Sequence, residues 1–200
     1  MNLIKTNLEF QELKTRRETR RMVIHHSASP DVPAAEIHKW HLANGWSGIG
    51  YHFIIRQNGN IEEGRPLEAI GAHAGPEVNP DSIGICLTGD FTKHSPSREQ
   101  IDSLLQLVPW LRESYQSELA VLRHCDVVAT ECPGQLFPWD EVSQALSLNM
   151  SWKQALIDSA RSEGLLMEKH DPDEPAPKWF VAALVLNLMD NIINREGVLK

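Results

Sequence analysis

Hydrophobic positions along the chain fall in short runs separated by turn residues. Met22 to His26 reads as a strand, with Val23 and His25 on one face and Ile24 and His26 on the other. Ile37, Trp40 and His41 recur at helical spacing between Pro33, which suits a first turn, and Gly45, which suits a stop. Gly50 to Ile55 (GYHFII) is rich in β-branched and aromatic residues. The Asn-Gly of QNGN then turns the chain into a return strand, Ile61 to Arg65. Ser82 to Gly89 is almost continuously apolar, as expected of a central strand buried on both faces. From Ser95-Pro96 a helix is expected, with Ile101, Leu104, Leu105, Val108 and Leu111 on one stripe and a kink at Pro109. Ala120 to Arg123 forms one more strand, and Phe137 to Leu146 a last helix of the body.

Strands interleaved with helices, without an internal repeat, predict an α/β domain over residues 1–148 with a mixed central β-sheet flanked by helices. Met1 to Arg21 is read as an arm packed on that body. Its basic cluster of Lys14, Arg16, Arg17, Arg20 and Arg21 is read as a solvated face. Beyond Leu148 the character changes. Ser151 can cap a helix running to Glu163, KHDPDEPAP is an acidic, Pro-rich break, and an apolar helix follows from about Pro177 to Asn194. This predicts a small C-terminal helical hairpin over 149–200. It is too small for a core of its own, so it packs on the body or a partner, or serves in wall targeting.

Composition narrows the partners. With 42% hydrophobic and 23% charged residues the 200-residue chain reads as an ordinary globular protein. A net charge of -8 argues against nucleic acid as the main partner. No run reaches the ~18 apolar residues of a membrane span, and MNLIKTNLEF lacks the apolar centre of a secretory signal. The expectation is a chain made in the cytoplasm that reaches its substrate by release or another export route. Three cysteines, Cys86, Cys125 and Cys132, do not suggest a disulfide framework, although a bridge from Cys125 stays open.

The chemistry concentrates in RHCDVVATECPG, Arg123 to Gly134, which holds His124 and Cys132 at H-x7-C spacing. Together with His25 of IHHSAS these residues could form a three-ligand site whose fourth position is left to water, the arrangement of hydrolytic zinc. A thiolate donor favours zinc over magnesium or calcium. Alone, an H-x7-C pair also suits a hydrogen-bonded histidine and a buried thiol. A structural zinc knuckle fits poorly, because no C-x2-C pair is present. His26, His38 and His41 are read as structural, hydrogen-bonded histidines.

Six segments in the same order carry a resemblance. They are IHHSAS (Ile24–Ser29), IHKWHLANGWSGIGYHFII (Ile37–Ile55), GNIEEGRP (Gly59–Pro66), GAHA (Gly71–Ala74), NPDSIGICLTGDF (Asn79–Phe91) and HCDVVATECPG (His124–Gly134). The chain resembles the zinc-dependent N-acetylmuramoyl-L-alanine amidases of the phage T7 lysozyme and peptidoglycan recognition protein family, over about three quarters of its length. The resemblance implies a mixed sheet flanked by helices, one Zn2+ ion, and hydrolysis of the lactyl amide between N-acetylmuramic acid and L-alanine in peptidoglycan. It implies His25, His124 and Cys132 as metal ligands and Tyr51 beside the metal-held water. Where the phage T7 type has lysine two positions before the cysteine, this chain has Thr130, as in the recognition-protein type. The transition-state donor is therefore expected to be Tyr51 or Thr130. His73, in the GAHAG loop, is a candidate for the wall of the peptide groove, with an ordinary hydrogen-bonded histidine as the other reading. Glu131 adjoins the site in sequence, but its side chain is expected to point away. The competing reading is a recognition module that binds peptidoglycan without cutting it. Members of that kind lack the cysteine ligand, which is present here.

Overall fold

The polypeptide builds one sheet out of segments that are far apart in sequence. The computed structural model describes residues 1–147. It contains strands β1 (Leu3–Ile4), β2 (Arg21–His26), β3 (Phe53–Ile55), β4 (Ile61–Glu63), β5 (Ser82–Leu87) and β6 (Ala120–Arg123). Helices are α1 (Ala34–Ala43), α2 (Arg98–Tyr115), the short α3 (His124–Val127) and α4 over residues 139–147. The expected hairpin over 149–200 lies outside the described residues.

The strands lie in the order β1-β4-β3-β5-β2-β6. Among these strands β3 and β4 pair antiparallel; β1 runs parallel to β4, β5 to both β2 and β3, and β6 to β2. This is the mixed sheet that the sequence predicts. All six residues of β5 are buried, as a strand with neighbours on both sides and helices on both faces requires.

Alternation along the strands sorts side chains onto two faces. Met22 and Ile24 of β2, Phe53 and Ile55 of β3, and Ile83, Ile85 and Leu87 of β5 join Leu104, Val108 and Leu111 of α2 in the larger core. Fully burying each such side chain contributes roughly 1.5–3 kcal/mol. The opposite face carries Ile54 and Cys86, packed on Ala34 and Ile37 of α1. It also carries Val23 and His25 of β2, which turns His25 away from the larger core.

Three segments differ from expectation. Helix α2 starts after Ser97 rather than at Ser95-Pro96. Ser97 Oγ accepts from the Gln100 amide, and Gln100 Oε1 accepts from the Ser97 amide, each at 3.1 Å. This reciprocal pair satisfies two donors that a cap at Ser95 would leave free. Of the Gly50–Ile55 run, the strand proper covers only Phe53–Ile55, while the Gly50 amide donates to Nδ1 of His41 at 3.0 Å. In the basic cluster, Arg16 is buried rather than solvated. Its guanidinium donates to the carbonyls of Leu67, Ala69 and Ser82 and to the Tyr115 hydroxyl. A rigid five-donor fork suits that cage of acceptors.

Candidate metal centre

Strand order explains why His25 and His124 meet. Strands β2 and β6 are parallel neighbours with Ile24 opposite Arg123, so the next residue of each chain segment falls at the same level. Those residues are His25 and His124. Both stand at the carboxyl ends of parallel strands, where α/β sheets commonly place ligands. At this point β6 breaks into α3, and Asp126 fixes the corner. Its carboxylate accepts from the Arg123 amide at 2.8 Å and pairs with the Arg123 guanidinium at 2.8 Å.

Cys132 arrives on the loop after α3. The Cys125 amide donates to the Cys132 carbonyl at 2.9 Å, which folds the loop back on the start of α3. Gly134 ends the loop at φ +101°, in contact range of the Phe91 backbone. The Cys132–Pro133 peptide is cis. Cys125 is exposed, and all three cysteines are free thiols.

Donor atoms of His25, His124 and Cys132 lie within 4.8 Å of one another. Nδ1 of His25 is 3.8 Å from Sγ of Cys132, and the two imidazole centroids are 4.3 Å apart. Tetrahedral zinc with bonds of about 2.0 and 2.3 Å sets its nitrogen and sulfur donors about 3.5 Å apart. The pair therefore has the spacing that such an ion needs, and the donor set of two imidazoles and a thiolate suits zinc.

The electrostatics describe a site that keeps its donors uncharged until a cation arrives. Burial, then the neighbouring His124 and His26, hold His25 well below its ordinary pKa. Burial and His26 lower that of His124. Burial pushes the Cys132 thiol up to about 11, opposed by the His26 amide, which donates to Sγ at 3.4 Å. A positive ion reverses that balance by stabilising the thiolate directly.

The remaining candidates are placed as follows. The Tyr51 ring centroid is 5.1 Å from that of His25. Burial, followed by the Cys86 and Cys132 sulfurs, holds the Tyr51 hydroxyl well above its ordinary value, so it is a hydrogen-bond donor at neutral pH. Thr130 is exposed, and its Oγ1 accepts from the Cys132 amide at 3.3 Å, which leaves its hydroxyl hydrogen free to donate elsewhere. Glu131 is exposed and borders a cleft of about 330 Å³ with Thr92, Arg123 and Phe137; none of the three donor residues lines it. His73 is buried, with Nδ1 3.0 Å from Nε2 of His25. His26, His38 and His41 each accept a backbone amide hydrogen at Nδ1, from Phe91, Ile49 and Gly50. Ser82, beside His73, carried no signal in the sequence; a serine opening an apolar strand is unremarkable until its neighbours are known.

Comparison with known proteins places this geometry in a family. The chain is 36% identical over 146 residues to the endolysin of Escherichia phage T7, covering 68% of this chain and 95% of the endolysin. The N-acetylmuramoyl-L-alanine amidase LysC from Clostridium intestinale superposes with a TM-score of 0.70 at 36% identity, over 74% of this chain and 98% of LysC. The peptidoglycan recognition protein LB of Drosophila superposes at 0.62 with 30% identity, over 68% of this chain and 90% of that one. Residues 15–135, which contain His25, Tyr51, His73, His124, Thr130 and Cys132, match the family described as N-acetylmuramoyl-L-alanine amidase, and the chain belongs to that family.

Proposed function

We propose that this chain is a zinc-dependent N-acetylmuramoyl-L-alanine amidase that acts on peptidoglycan as an endolysin or autolysin. The observation that carries the reading is the convergence of His25, His124 and Cys132, with donor atoms within 4.8 Å of one another. These residues would hold the ion. When bound, zinc supplies a water of lowered pKa and polarises the carbonyl under attack.

The other roles fall to the chain's own side chains. Tyr51, a neutral phenol beside His25, donates a hydrogen bond to the lactyl carbonyl oxygen as negative charge gathers there. The Thr130 hydroxyl, anchored through its oxygen to the Cys132 amide, is the second donor proposed for that oxygen. One water is consumed. The lactyl carbon gains its oxygen, the bond to the L-alanine nitrogen breaks, and that nitrogen takes up a proton to leave as an amine. Burial keeps His25 neutral, so its ring is ready to coordinate rather than to repel a cation.

Residues 1–148 are proposed as the catalytic body and 149–200 as an appended element for wall targeting or packing. A truncation after Leu148 that binds cell walls as well as the full chain would dismiss targeting. For the activity, the test is mass spectrometry of digested peptidoglycan with and without a chelator. The expected products are glycans with free lactyl carboxylates and peptides with free L-alanine amino termini, formed only with metal. Binding to peptidoglycan without either product would make the chain a recognition module instead.

A further inference from the structure

His25 uses only one ring nitrogen toward the proposed ion, and its other nitrogen leads into a buried chain of polar groups. Nε2 of His25 lies 3.0 Å from Nδ1 of His73. Nε2 of His73 lies 3.4 Å from Oγ of Ser82. Oγ of Ser82 lies 2.6 Å from the carbonyl oxygen of Val78. All three side chains are buried, at 1%, 9% and 0% exposure, so water does not compete for these contacts.

The direction of the chain follows from its last link. A carbonyl oxygen only accepts, so the single Ser82 hydroxyl hydrogen goes to Val78. Toward His73 the Ser82 oxygen can then only accept, which puts the ring hydrogen of a neutral His73 on Nε2. Nδ1 of His73 is left with a lone pair and accepts from His25, whose ring hydrogen is therefore on Nε2. The lone pair of His25 is thus on Nδ1, the atom 3.8 Å from Sγ of Cys132. The opposite orientation would set the lone pair of His73 Nε2 against the lone pairs of a serine oxygen whose hydrogen is already committed.

The seat of the His73 ring is built for it. A Cβ at Gly84, in the middle of central strand β5, would come within 2.5 Å of His73 Cδ2, and so would a Cβ at Gly71. Glycine weakens a strand interior and often marks a close approach there. At Gly84 the approaching group is the His73 ring. The loop is held from below as well, since Oδ1 of Asn79 accepts from the amides of His73 and Ala74 at 3.0 and 2.8 Å.

We propose that His73 and Ser82 are positioning residues for the metal centre: they fix the tautomer and the ring orientation of His25 so that Nδ1 faces the ion. This deepens the zinc reading and rests on it. Outer hydrogen-bond partners of ligating histidines commonly do this, and losing one weakens metal binding by about 10–100-fold.

Two measurements test the assignment. In the metal-free full chain, long-range proton–nitrogen correlation of the histidine rings should show hydrogen on Nε2 of both His25 and His73. Hydrogen on Nδ1 of His73 overturns the proposal. Zinc affinity, measured by chelator competition with zinc alone, should fall about 10–100-fold in His73→Phe, which removes the acceptor. It should stay close to wild type in His73→Asn, whose amide oxygen can occupy the Nδ1 position. Folded His73→Phe that binds zinc as tightly as wild type removes the inference and leaves the metal site standing. If His73→Phe does not fold, Ser82→Ala decides: the His73 signals should become a mixture of tautomers, and an unchanged pattern overturns the proposal. A wild-type chain that binds no zinc removes both readings together.

Discussion

The backbone amide of His26 donates to the sulfur of Cys132 across 106 residues of sequence, at 3.4 Å. This bond favours the thiolate, but burial outweighs it and leaves the thiol pKa near 11. Zinc must therefore displace a proton from Cys132. The lowered pKa values of the two histidines reduce what they release at pH 6.5, so Cys132 is the larger source. The expected result is close to one proton released per zinc bound at that pH, read by calorimetry in buffers of different ionisation enthalpy. Cys132→Ala should lose more than about 100-fold in zinc affinity and all measurable hydrolysis; full activity would exclude the site.

Tyr51→Phe removes a hydroxyl without touching the three donors. Zinc affinity should be unchanged, while kcat falls about 100-fold, the usual loss for one oxyanion donor. Unchanged turnover would clear Tyr51 of a role.

Gly134→Ala places a Cβ against the Phe91 backbone at a φ of +101° that L residues rarely adopt. The loop that delivers Cys132 must then shift. The expected cost is about 1–3 kcal/mol in stability, together with weaker zinc binding. Urea unfolding and chelator competition measure the two effects separately.

Asp31 ties the loop after β2 to the end of β3. Its carboxylate takes two bonds from Arg56, at 2.8 and 3.0 Å, and one from Thr88 at 2.6 Å. The Arg56 bonds, then those of Thr88 and the Gln57 amide, lower its pKa to about 2 against desolvation. A lowered carboxylate pKa stabilises the fold above the unfolded value near 3.9, and this contribution fades as pH falls toward 2. Asp31→Asn should therefore cost about 2 kcal/mol at pH 7 and much less near pH 2. Equal losses at both pH values would argue against the ion pair.

Two histidines set a second pH dependence. Burial lowers the pKa of His41 to about 4 and that of His52 to about 3. Each accepts a backbone hydrogen at Nδ1, His41 from Gly50 and His52 from Gly84, so the neutral ring is the folded form. The unfolded chain binds these protons near pH 6.5, so stability is full above that value and declines as pH falls toward 4. The urea midpoint of the metal-free protein should drop across that window. A flat midpoint from pH 7 to 4 would contradict the assignment.

Much of the fold was legible because the signals were local. The period-two pattern of β2 set His25 apart from Ile24, and the unbroken apolar run Ser82–Leu87 marked the central strand. Helix α2 starts two residues later than Ser95-Pro96 suggests, at the capping pair Ser97 and Gln100. The burial of Arg16 is not legible locally, because nothing near it in sequence reveals the Leu67, Ala69 and Ser82 carbonyls that surround it.

By itself, the sequence determined the element types, the mixed sheet, and the family to which His25, His124 and Cys132 belong by motif. Those properties depend on side-chain periodicity and on short spacings, which neighbouring residues carry. Tertiary structure alone decided that parallel pairing of β2 with β6 sets His124 level with His25, and that the His73 ring reaches Nε2 of His25. Both depend on strand order and on contacts between residues 48 or more positions apart, and no local pattern encodes those.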